Sequence, residues 1–231
     1  MFLRFYTMVK LIYTFGILIF LLTGTSLYGQ GKQHFPHVGG ILQNIVPDRK
    51  TDSWMLVHKN YGKDTVIKQS GVVKDFISPA SGFNMGIASE DESYYIVYSS
   101  GGKTEYVTDL NALKNFVGKI DNIYDAAAVA AADGYIVDED FRDMAGNYQE
   151  DRSFYHLDLG KITSAECPYQ KKHFTLTVER STGKVVDVKD NGPYIELYNK
   201  KCKNNPRLLK IEKPEETKDE SKKPAKAAKR R

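Results

Sequence analysis

From residue 54 to about residue 200, apolar and polar positions come in short runs of period two, broken by Gly, Asn, Asp and Ser, which is the pattern of half-buried strands. Residues 54–59, 65–68 and 72–77 are rich in β-branched and aromatic side chains and read as three strands separated by turns at 60–64 and at Ser70-Gly71. Residues 94–99 are apolar on both alternating faces, which places them centrally in a sheet, with Tyr94, Tyr95 and Tyr98 in the core. Gly101-Gly102 then turns the chain and 103–108 returns as the second arm of a hairpin.

The period changes to that of a helix over 110–117, with Thr108 or Asp109 as the cap, and again over 122–133, with Asp121 as the cap and Gly134 as the stop. Ile123, Ala126, Ala127, Ala130 and Ala131 recur at helical spacing, and their small surface suits close packing on a sheet. A short apolar run at 135–137, an acidic connection through Glu150 and a strand near 152–159 follow. Strict alternation in 174–179, a turn at 180–183 and a return over 184–189 predict a hairpin whose inward face carries Phe174, Leu176 and Val178. Asp190-Asn191-Gly192-Pro193 reads as a further turn, and 194–199 as a third strand or a short helix. The fold class expected is α+β, a mainly antiparallel sheet with two helices packed on one face.

The ends of the chain have a different character. Arg4 and Lys10 precede an apolar run at 11–22, then small and polar residues lead to a Gly29/Gln30 junction. A core of a dozen residues is short of the roughly 20 that a spanning helix needs, so 1–29 reads as a cleaved export signal whether translation starts at Met1 or Met8. The rival, an uncleaved anchor over 2–22, is interrupted by Arg4 and Lys10. Residues 30–53 are weakly patterned and read as an extended lead-in that adds at most one strand, and 54–209 is a single domain by size. Over 210–231 the only large apolar side chain is Ile211, so this Lys-rich tail cannot offset its backbone entropy and is expected to be disordered.

Charge follows the same division. The formal net charge is +4, but the tail carries nine Lys or Arg against five acids and the leader adds Arg4 and Lys10, which leaves the folded part about two charges negative. Its basicity is an end effect, which argues against a nucleic-acid binder. Residues 222–231 hold six basic residues and no acid, a solubilising tail or a contact for anionic lipid or envelope polysaccharide.

Export to an oxidising compartment favours a disulfide between the two cysteines, Cys167 and Cys202. In a plain three-strand meander, however, those residues fall at opposite ends of the sheet. Pairing requires that the chain before His173 doubles back or that the segment after Pro193 crosses the sheet; otherwise both remain thiols.

Candidate chemistry is sparse. His34 and His37 sit in the lead-in, and His58, His156 and His173 lie on or beside predicted strands, without metal-ligand spacing. The acidic groups 90–92 and 138–140 lack the spacing of a calcium loop and read as solvated connections. Gly-x-Ser-x-Gly, the phosphate-cradling Gly-x-x-x-x-Gly-Lys, glycosylation sequons and a lipobox cysteine are all missing from the sequence, and no cofactor is implied. Two classes of function remain. The first is a small exported interaction module, periplasmic or secreted, that meets an envelope or extracellular protein or polysaccharide without stable membrane insertion after signal cleavage; 12% aromatic content suits such an interface. The second is a secreted hydrolase assembled around His156 or His173, with acids such as Asp151 or Asp158 nearby. That second class requires a concave pocket holding a histidine and a carboxylate.

Overall fold

The computed structural model describes residues 31–87, 91–202 and 205; the leader, 1–29, and the tail, 210–231, lie outside the described residues. The chain forms an antiparallel α+β fold whose strands divide between two sheets. The four-stranded sheet has the order β3-β2-β4-β5, built from β2 (Ser53–Asn60), β3 (Lys63–Ser70), β4 (Glu92–Ser100) and β5 (Lys103–Val107). The five-stranded sheet runs β1-β6-β7-β8-β9, with β1 (Gln33–His34), β6 (Gly146–Glu150), β7 (Phe154–Ser164), β8 (Tyr169–Glu179) and β9 (Lys184–Leu197).

Helices α1 (Val38–Gln43), α2 (Leu110–Val117) and α3 (Ile123–Ala132) fill the space between the sheets. Asp109 caps α2 by accepting the Ala112 N–H, and Asn122, rather than the expected Asp121, caps α3 by accepting from Tyr124 and Asp125. The alanine face of α3 widens into burial on nearly every side, from Ile123 to Ala131, because both sheets and α1 and α2 close around it. One core therefore joins Trp54, Leu56, Ile96 and Tyr98 on one sheet to Tyr155, Leu157, Leu159, Leu176 and Val178 on the other. Each fully buried aliphatic side chain there contributes roughly 1.5 to 3 kcal/mol.

The lead-in is not merely extended. After β1, His37 caps α1, and Phe35, Ile41, Leu42 and Ile45 are essentially inaccessible to solvent. Asp125, fully buried at the start of α3, accepts the Val46 N–H at 2.8 Å and so ties the end of the lead-in to the helix layer. The glycines and histidines that weaken the pattern at 34–40 hid a helix of under two turns whose apolar positions are few.

As the two-sided pattern of 94–99 required, β4 is central, with Tyr94, Tyr95 and Tyr98 all buried. Its outer face, Tyr95 and Val97, joins Met55 and Val57 in a second small core. The cover is the segment expected as a strand at 72–77, which forms no strand; Val73 and Phe76 pack on that face as an irregular strap.

The connection before Glu150 holds a one-turn helix, α4 (Arg142–Ala145), and β6. Leu176 and Val178 point inward and Phe174 is partly buried against the core. The expected turn at Asp190-Asn191-Gly192-Pro193 is instead a bulge inside β9, which stays paired with β8 from Glu179↔Lys184 to Tyr169↔Leu197. This continuity resolves the cysteine geometry. Because β9 runs the whole length of β8, Cys202 returns beside Cys167, and the two form a disulfide with Cα atoms 5.4 Å apart. Among the described residues, no helix is long and apolar enough to cross a membrane.

Candidate functional site

On the inner face of the four-stranded sheet the aliphatic row ends at Leu56 opposite Ile96, and the next cross-strand pair in step is His58 opposite Tyr94. Period two puts Glu92 on the same face as Tyr94, beyond the last core layer. The His58 and Tyr94 rings stack with centroids 4.7 Å apart and planes 16° apart, and His58 Nε2 lies 2.8 Å from Glu92 Oε1. These three side chains form the floor of a cleft of about 550 Å³ between the two layers. That volume lies within the range of small-molecule and side-chain binding sites.

One wall is the start of α1. His37 Nδ1 accepts the Gly40 N–H at 3.1 Å, which leaves the proton of a neutral ring on Nε2. The opposite wall is the segment 136–140, whose Glu139 Oε1 accepts the Val38 N–H at 2.9 Å and so bridges the walls. Asn84, Gly86 and Ile87 close the third side.

The segment 136–140 is held in place by a buried ion pair. The Asp138 carboxylate, with 2% of its side chain exposed, lies 2.6 Å from Lys171 Nζ, which is 4% exposed. Tyr194 Oη donates to the same oxygen at 2.7 Å, and the Asp140 N–H donates to the other at 3.2 Å. Burial alone works to raise the Asp138 pKa, but the hydrogen bonds from Lys171 and Tyr194 and the Lys171 charge outweigh it and hold the carboxyl below its ordinary value. The Tyr194 ring reaches Asp138 because β7 has Gly160 there; a Cβ at that position would meet the Tyr194 hydroxyl.

The cleft is strongly one-signed. Glu92, Asp138, Glu139 and Asp140 line it, and its described lining includes no Lys or Arg. The effect reaches Tyr94, whose hydroxyl pKa is pushed up to about 12 by burial and by the carboxylates of Glu92, its hydrogen-bond partner, and Glu139. Of the acidic groups that read as separate solvated loops, Glu92 and all of 138–140 are thus brought into one cavity, whereas Asp91 borders a second concavity of about 500 Å³ and Glu90 lies outside the described residues. Their sequence separation concealed this, since only the pairing of β2 with β4 and the crossing of 136–140 over β7 brings them together.

The histidines singled out with nearby acids do pair as their sequence neighbourhood suggested. His156 Nε2 lies 3.2 Å from Asp151 Oδ2, and His173 Nε2 lies 2.9 Å from Asp158 Oδ1. Both pairs sit on the outer face of the five-stranded sheet, in step with Thr177 and Thr175, opposite the face that carries Leu157 and Leu176. Neither borders the 550 Å³ cleft or a second concavity of about 500 Å³ lined by Lys59, Tyr61, Gly82 and Ser93. Asp158 also accepts from Lys32 at 2.6 Å and Thr175 at 2.7 Å; burial opposes its ionisation, and these bonds together with His173 still keep its pKa below the ordinary value. His34 lies 3.3 Å from Asp143 on the surface.

Among the described residues no group of three or more His, Cys, Asp or Glu is placed to hold a metal ion. What the cleft offers is complementarity: a stacked aromatic floor, aliphatic walls and a carboxylate lining. In comparisons with known proteins, no family model, no curated protein and no solved structure matches this chain, so its geometry alone speaks for its function.

Proposed function

We propose that the protein is a small exported binding module, working in the periplasm or outside the cell, whose 550 Å³ cleft seats part of an envelope or extracellular partner. The cleft carries this reading. It is concave and mixed in polarity, and its His58, Glu92 and Tyr94 are already locked to one another, so little ordering is required on binding. The export half of the reading rests on the leader pattern at 1–29 and on the Cys167–Cys202 disulfide, which suits an oxidising compartment. A hydrolase centred on His156 or His173 has its histidine–carboxylate pairs, but these border neither the 550 Å³ cleft nor the 500 Å³ concavity of the described residues.

Gly86 supplies a clean test. A Cβ there would have 3.8 Å to Asn84 and 3.9 Å to Val38, so Gly86→Trp keeps the backbone and fills the cleft. The intact mature protein should retain a protein or polysaccharide from envelope extract that Gly86→Trp loses. Equal retention by both would place binding elsewhere. Turnover of a substrate by the pure protein, with nothing retained, would refute the binding reading. A mass spectrum of the exported chain should begin at Gln30.

A further inference from the structure

Resting on that reading, we infer that the group the cleft takes is an ammonium or guanidinium at the end of an aliphatic stem, that is, a Lys or Arg side chain of a basic peptide segment. Two independent features of the cavity point to it. The first is the charge of the lining. Asp138 is neutralised by Lys171, and Glu139 has only a distant cation, Arg142 at 3.9 Å. Glu92 faces His58 and Tyr94, and Asp140 is exposed. Three carboxylates therefore face the same space with no cation of their own lining it among the described residues.

The second feature is the aliphatic wall. Val38, Ile67, Ile136 and Val137 border the same cavity, and a run of methylenes can lie on them while its charged end reaches the carboxylates. An inorganic cation gains nothing from such a wall, and among the described residues no three ligating side chains converge on one point to hold it. An anionic sugar would be repelled by the carboxylates, and a neutral sugar, although its hydroxyls can donate to them, brings no opposite charge to the one-signed lining. The union of a one-signed lining and an apolar trough suits a long basic side chain, with guanidinium able to take Glu92 or Glu139 in a forked pair.

A basic segment exists on this chain as well as on other proteins: residues 222–231 carry six Lys or Arg and no acid. The two sources share one chemistry and can be separated. The probe is the free decapeptide of residues 222–231, with a control in which its six basic residues are Gln, titrated into the full mature chain and followed by amide NMR shifts. The basic peptide should shift residues of the cleft, the Gln peptide should not, and raising salt from 0.05 to 0.5 M should weaken binding by about ten-fold. Glu92→Gln and Glu139→Gln should each weaken it by at least about five-fold. Asp140→Asn, an exposed change, serves if Glu92→Gln unfolds.

If a full chain whose own 222–231 basic residues are Gln binds the peptide more tightly than the intact chain does, the tail occupies the cleft in cis. Equal affinity assigns the site to another protein. Equal binding of the Gln peptide, or shifts confined to other surfaces, would overturn the inference. A partner lost with Gly86→Trp but lacking any basic segment would overturn it too, while leaving the binding reading standing.

Discussion

Replacing Lys171 by Met tests how the wall of the cleft is held. The substitution keeps the aliphatic stem but removes the ammonium from a pair in which the two side chains are 4% and 2% exposed. Removing one partner of a buried pair typically costs about 3 to 5 kcal/mol, because the remaining charge stays desolvated. Asp138 keeps the Tyr194 hydroxyl and the Asp140 N–H, so the lower end, about 3 kcal/mol, is expected at pH 7. The pH dependence is the discriminating signature. In the intact protein the Asp138 pKa is below its unfolded value, so its contribution is complete above about pH 4 and is lost as pH falls through the folded-state value. Without Lys171, burial is the dominant influence and raises that pKa. The folded variant then binds a proton more readily than its unfolded chain, and its stability falls as pH rises from 4 to 7. Urea unfolding followed by far-UV circular dichroism at pH 7 and pH 4 should therefore show a larger deficit at pH 7. Adding Asp138→Asn to Lys171→Met should recover at least half of it. A deficit below about 1 kcal/mol at pH 7, or one of equal size at both pH values, would refute the claim that an uncompensated carboxylate is the cause.

Replacing both cysteines by Ser should lower stability by about 3 to 4 kcal/mol, given a sequence separation of 35 between them, measured by denaturant unfolding of the mature chain. Gly160→Ala should destabilise by about 1 to 3 kcal/mol by forcing the Tyr194 hydroxyl away, and Tyr194→Phe in the same chain should relieve part of that loss in thermal melts. Asp158→Asn should be less stable than the parent at pH 7, and the difference should vanish as pH falls below about 4, since the lowered pKa makes the contribution of this carboxylate one that acid removes.

Local order was legible in the chain because it depends on neighbours in sequence. Period-two runs gave the hairpins of β2 with β3, β4 with β5 and β8 with β9, and a capping Asp at 109 and a terminal Gly at 134 bounded the helices. The two-sided run at 94–99 placed β4 in the middle of its sheet for the same reason: every position had to be buried. Helix α1 escaped because only Val38, Ile41 and Leu42 mark its apolar face, and the irregular strap at 72–77 has strand-like composition but lies on the face of the sheet, where Val73 and Phe76 pack, and is paired with no strand among the described residues.

Composition and period alone determined that the folded chain is antiparallel α+β, that its two cysteines had reason to meet, and that its basic charge lies at its ends. Tertiary structure decided the rest: that there are two sheets with the helices between them, that β9 runs straight through its Asp-Asn-Gly-Pro bulge to bring Cys202 to Cys167, and that Glu92 and the acids at 138–140 face one cavity. The physical reason is range. Strand period and helix caps are set by contacts a few residues apart. The cleft exists because His58 and Tyr94 fall opposite each other across a strand pair and because one lysine, distant in sequence, anchors its wall through Asp138.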